Sequence, residues 1–228
     1  MAAKPGKGNR IFISTVSGEF ENPSAAFPGL RAKLRHYLTA ADCEVKVQED
    51  FRQTTGGTLE KLDEYIRDCD AVIHLVGKMP GHLADADSAQ DVPDYLAHIA
   101  AEAGGRTFLD KQPELLAAFG DGSGISLTQF EAYMALHHRV PLFVYATPDA
   151  ASGQQAHLNR LRQGRPKKYA SPFSDAADLL GKFIGDLREI IPALAGQKQR
   201  LAPTRLISRH TAADFLGREK ELALLDDA

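Results

Sequence analysis

Ile-Phe-Ile-Ser-Thr at residues 11–15, Glu-Val-Lys-Val-Gln at 44–48 and Ala-Val-Ile-His-Leu-Val at 71–76 decide the fold, because a helical pattern separates each from the next. The first and third are short apolar runs that stop at small residues and glycine, as buried strands do; the second alternates around Val45 and Val47. Between them, Phe27, Leu30, Leu34 and Leu38 recur at helical spacing and predict a helix over 24–41, and Leu59, Leu62 and Ile66 predict another over 58–68. Strands alternating with helices imply a parallel sheet, since parallel neighbours need right-handed crossovers that lay helices on both faces.

Working outward, residues 78–124 break the rhythm with Pro80, Gly81, weakly helical pieces near 93–103 and 111–119, and Gly-Asp-Gly-Ser-Gly at 120–124. This segment reads as an insertion outside the sheet. The core resumes with a helix from Ser126 to His138 and a strand over 140–145, then a loop containing Pro148, and a last amphipathic helix over 174–194 striped by Leu180, Phe183, Ile184, Leu187 and Ile191. The expected fold is therefore α/β, a parallel five-stranded sheet of flavodoxin-like type with the first strand central. Met1–Asn9 reads as a disordered N-terminus, 10–196 as the domain and 197–213, polar and basic around Pro203, as a linker.

Composition narrows the partners. A net charge of −3 provides no general attraction to nucleic acid or anionic membrane, so neither is expected as a partner. No apolar run is long enough to cross a bilayer, and only Cys43 and Cys69 are present, without C-x-x-C spacing; a reducing cytoplasm is the expected setting and a structural metal is not. His137 and His138 are adjacent, point to different helix faces, and lack the i, i+4 spacing of paired ligands. The basic cluster Arg160, Arg162, Arg165, Lys167 and Lys168 reads as a solvated loop with a minor phosphate-binding alternative. Ser14, Ser17 and Ser126 lack a G-x-S-x-G elbow, which disfavours a hydrolase triad.

One acid stands out. With Leu127 at 0° on an ideal helix, Glu131 falls at about +40°, between residues of the apolar stripe. A carboxylate facing a core costs several kcal/mol unless it is paired or sits in a cleft. Two capping boxes compete to explain the first turn, Ser126 with Gln129 and Thr128 with Glu131; the former is favoured by the preceding Gly124-Ile125, and it leaves Glu131 too deep to cap. Ligands of such sheets bind at the carboxyl ends of strands, which directs attention to the loops at 14–18, 49–57 and from Gly77.

Ile11-Phe12-Ile13-Ser14, Glu49-Asp50-Phe51, Asp68-Cys69-Asp70-Ala71-Val72 and Ser126-Leu127-Thr128-Gln129-Phe130-Glu131 with Val140-Pro141-Leu142-Phe143-Val144 together resemble divergent TIR domains. Phe215-Leu216-Gly217-Arg218-Glu219-Lys220-Glu221-Leu222 is similar to the entry into the NTPase domain of STAND proteins, so 214–228 is expected to begin a truncated NTPase domain. The resemblance implies an NAD⁺ hydrolase serving as the effector of an immune or defence signalling NTPase, with NAD⁺ as substrate rather than cofactor. It makes Glu131 catalytic, with Ser14, Thr15, Asp50, Phe51 and Arg52 as ligand contacts. Leu127 stands where many TIR enzymes carry Trp, so stacking falls to Phe51 or Tyr133. Implied partners are other TIR copies and the C-terminal NTPase and sensor domains. Two alternatives are a non-catalytic TIR-like assembly scaffold and a nucleoside deoxyribosyltransferase-like enzyme.

Overall fold

The computed structural model describes residues 9–47, 58–84, 91–120 (backbone only over 117–120) and 124–187. The chain divides into two compact units, Met1–Lys182 and Phe183–Ala228. The linker at 197–213 and the NTPase-like tail at 214–228 lie outside the described residues.

The first unit is an α/β fold around one five-stranded parallel sheet. Its strands are β1 (Asn9–Ser14), β2 (Cys43–Lys46), β3 (Ala71–Val76), β4 (Leu142–Ala146) and β5 (Ser171–Pro172), in the order β2-β1-β3-β4-β5. Every pairing is parallel. The centre of the sheet is thus β3, with β1 beside it, which corrects the expectation of a central first strand. The strand β3 is buried along its whole length, as a central parallel strand covered on both faces must be.

After β1 come α1 (Ser17–Phe20) and α2 (Leu30–Ala40), and α3 (Thr58–Arg67) follows β2. Right-handed crossovers put α2 on one face of the sheet and α3 on the other. The α2 helix buries Leu30, Leu34 and Leu38, each worth roughly 2 kcal/mol of transfer free energy. It starts six residues later than its sequence pattern suggests, because Gly29 takes a left-handed conformation (φ 63°) directly after Pro28 and separates Phe27 from the helical stripe. Phe27 stacks instead on Phe20, with ring centroids 5.3 Å apart.

No described residue of 78–124 joins the sheet as a strand. The segment supplies α4 (Asp91–Ala101), α5 (Gly105–Asp110) and α6 (Pro113–Gly120), which extend the core already formed by α3 and α7 (Leu127–His137). Sequence periodicity also misses α8 (Ser152–Gln163), read as loop. This helix has few large apolar residues; it buries Gln154, His157 and Leu161, two of them polar. A helical stretch over 176–187 matches the expected C-terminal helix as far as the described residues extend.

Candidate functional site

The carboxyl edge of the sheet is built around the first turn of α7. Its cap is the reciprocal box expected from Ser126 and Gln129: the Gln129 amide N–H donates to Ser126 Oγ at 3.3 Å, and the Ser126 N–H to Gln129 Oε1 at 3.2 Å. Glu131 has no part in the box. It is 1% exposed, on a helix in which every residue from Thr128 to Leu136 is buried. The apolar stripe inferred from sequence is thus wider than expected, because α3 packs along α7 while Tyr95 of α4 meets Phe130 and Gln154 and His157 of α8 meet Gln129 and Tyr133.

Ser14, at the end of β1, is fully buried and fixes α7 to the sheet. Its Oγ lies 3.3 Å from the Thr128 carbonyl and 2.8 Å from His74 Nδ1, and His74 Nε2 lies 3.0 Å from His157 Nε2. One proton assignment partners every hydrogen in this chain. His157 donates to His74 Nε2, His74 Nδ1–H donates to Ser14, and Ser14 donates to the Thr128 carbonyl, leaving a lone pair on His157 Nδ1 without a hydrogen-bond partner. Two facing nitrogens can share only one proton, so the two rings cannot both be charged. Burial holds His74 down at about 3 and His157 well below the ordinary imidazole value, with the neighbouring His74 and Arg160 acting in the same direction on His157. Ser14 and His74 have the spacing of a nucleophile and base, but at 0% and 2% exposure the pair serves the fold.

Other sequence candidates fall as follows. Thr15 is 6% exposed, and its hydroxyl has no hydrogen-bond partner among the described residues. Tyr133 lies two residues beyond Glu131, so the two side chains leave α7 about 200° apart. The Tyr133 ring meets the edge of His157, with centroids 5.8 Å apart, and is not brought together with Glu131. Asp50, Phe51 and Arg52 lie outside the described residues.

Two polar side chains overlooked in the sequence shape this edge. Glu19 of α1, 3% exposed, accepts the backbone N–H groups of Lys78 (2.7 Å) and Met79 (2.8 Å), so α1 clamps the loop after β3. Gly77 permits it, since a Cβ there would overlap the Glu19 carboxylate. Gln154 of α8 donates to the Met79 carbonyl and accepts from Gln129, both at 2.8 Å. Thr128 donates to the Pro80 carbonyl, and Leu127 N–H to the His82 carbonyl. The segment 77–84, expected to lie outside the sheet, is therefore stitched to the first turn of α7 and walls this edge.

At the other end of α7, His137 and His138 are both held by carboxylates. His137 Nε2 is 2.8 Å from Glu102, His138 Nε2 is 2.8 Å from Asp63, and Tyr95 donates to Asp63 at 2.6 Å. Burial pushes Asp63 up, but the bonds from His138 and Tyr95 outweigh it and hold the carboxyl below its usual range; His137 lowers Glu102 likewise. Ligand atoms of Glu102, His137 and His138 lie within 4.8 Å of one another, a spacing compatible with a metal ion. Arg67 already supplies the counter-charge, at 2.9 Å from Asp63 and 3.1 Å from Glu102. Both cysteines are buried free thiols, and burial pushes the Cys69 thiol up to about 12. No described helix is long and apolar enough to cross a membrane. No protein-family model, curated protein or solved structure matches the chain.

Proposed function

We propose that the chain cleaves the N-glycosidic bond between nicotinamide and ribose in NAD⁺, with Glu131 as the catalytic carboxylate. The supporting observation is an acid at 1% exposure on α7, the helix whose first turn is bonded to Ser14 at the carboxyl end of β1. Ligands of open parallel sheets bind at this edge. Breaking the C1′–N bond sends its electron pair to nicotinamide, which leaves neutral and needs no acid, while positive charge develops on the ribose ring. A carboxylate beside that ring stabilises the charge, and water then supplies hydroxide to C1′ and a proton to solvent. Ser14 acts as a positioning residue through the Thr128 carbonyl, and the Thr15 hydroxyl is the contact for ribose or phosphate.

The test is nicotinamide release from NAD⁺ by the purified chain, with and without forced oligomerisation. Glu131→Gln should cut turnover at least about a hundredfold, on the order of 3 kcal/mol, and change KM far less. Wild-type turnover in that variant would remove the catalytic assignment. The deep burial of Glu131 in a single chain favours a second reading, a scaffold that assembles with TIR-like copies. A scaffold would release no nicotinamide under any condition and would assemble unchanged as Glu131→Gln.

A further inference from the structure

A cavity of about 630 Å³ opens at the far end of α7 from Ser14, between α5, the α7 C-terminus and the loop at 165–166. Its lining includes Lys111, Arg139 and Arg165 together with His137 and His138, and contains no acid. Among the described residues none of these three cations makes an ion pair, in a chain that carries more acids than bases overall. The carboxylates behind the two imidazoles, Glu102 and Asp63, are already engaged by those rings and by Arg67. Phe108 and Leu136 give the cavity an apolar floor, and the Phe108 ring rests 5.0 Å from that of His137.

Two features fix the backbone from which Arg165 and Arg139 project. Gln112, 2% exposed, donates to the Arg165 carbonyl at 3.1 Å, which ties the residue next to Lys111 to the Arg165 loop. Gly164 allows the approach, since a Cβ there would overlap the Gln112 side chain. Arg139 occupies a left-handed conformation (φ 57°) just past the end of α7, where glycine is the inexpensive choice. A long cationic side chain kept at a strained position on a cavity rim points to use of that side chain.

From this geometry we propose that the cavity binds a nucleoside phosphate: Lys111, Arg139 and Arg165 take the phosphate oxygens, and Phe108 and Leu136 take the heterocycle. The volume falls within the range of small-molecule sites. Leu136 and Arg139 lie five and eight positions beyond Glu131, Phe108, Lys111 and Arg165 come from other segments, and the assignment does not depend on NAD⁺ cleavage.

The experiment is calorimetric titration of the full chain with ADP, AMP, inorganic phosphate and adenosine at low and high salt. ADP should bind at least tenfold more tightly than adenosine or phosphate, and more weakly as salt rises. Arg139→Gly relieves the left-handed strain, so it should fold as well as wild type yet lose ADP affinity at least tenfold; Lys111→Ala and Arg165→Ala should lose it as well. Glu131→Gln should bind ADP normally, which separates this site from the proposed catalytic one. The proposal is overturned if adenosine or phosphate matches ADP, if Arg139→Gly binds ADP like wild type, or if a single-stranded oligonucleotide outcompetes ADP.

Discussion

Lowering the pH from 7.5 to 5.5 should destabilise the fold by about 3 kcal/mol through two residues alone, His74 and His157. Both take up protons near 6.5 when unfolded, whereas in the folded state burial holds His74 near 3 and His157 well below its ordinary value. The sign follows from linkage. Below pH 6.5 the unfolded chain binds protons that the folded chain refuses, so stability present above 6.5 is lost as pH falls, down to the folded values. Each ring contributes about 1.4 kcal/mol over this interval, with a limiting slope of about 1.4 kcal/mol per pH unit per proton. Asp63 and Glu102 act in the same direction but lower, below their ordinary values of 3.8 and 4.5, and so fall outside the window. Urea unfolding at pH 7.5, 6.5 and 5.5 reads the effect, and His157→Gln should roughly halve the slope. A free energy of unfolding that stays flat across this range would refute the neutral, sealed pair.

Gly77→Ala should cost about 1–3 kcal/mol in urea unfolding because its methyl group collides with the Glu19 carboxylate, and the cost should shrink when Glu19→Ala is already present. Removal of the α7 cap by Ser126→Ala should cost about 1 kcal/mol, read as a lower melting temperature. Asp63→Ala leaves Tyr95 and His138 without their acceptor and should destabilise by about 3 kcal/mol, far more than Glu44→Ala at the half-exposed pair with Lys46. For activity, Glu131→Gln should remove nicotinamide release at least about a hundredfold, measured by chromatography.

The strands that could be read in advance are those with continuous or alternating apolar residues, and the helices those with a one-sided leucine pattern such as Leu30, Leu34 and Leu38. The pattern at α8 gave no such signal, since the side chains it turns inward include Gln154 and His157. Their inward direction depends on partners that only the fold supplies, Met79 and Gln129 for one and His74 for the other. His74 lies inside Ala71–Val76, which reads simply as an apolar strand, and nothing local named Ser14 as its partner, sixty residues away. Glu131 was marked by helical geometry, and its burial agrees with that. The Glu19 clamp was hidden because an acid in Ser17–Phe20 looks like any exposed turn residue until Gly77 comes against it.

The helix α7 has no outer side between Thr128 and Leu136. Most helices of a small domain drift freely on their wet half while their dry half changes slowly. Here drift has no wet half to use: Ala132 and Ala135, both 0% exposed, are as confined as Phe130 and Met134. Copies of this chain that have diverged in α2 and α3 should therefore still share this stretch nearly letter for letter, with Ala132 and Ala135 restricted to the smallest side chains.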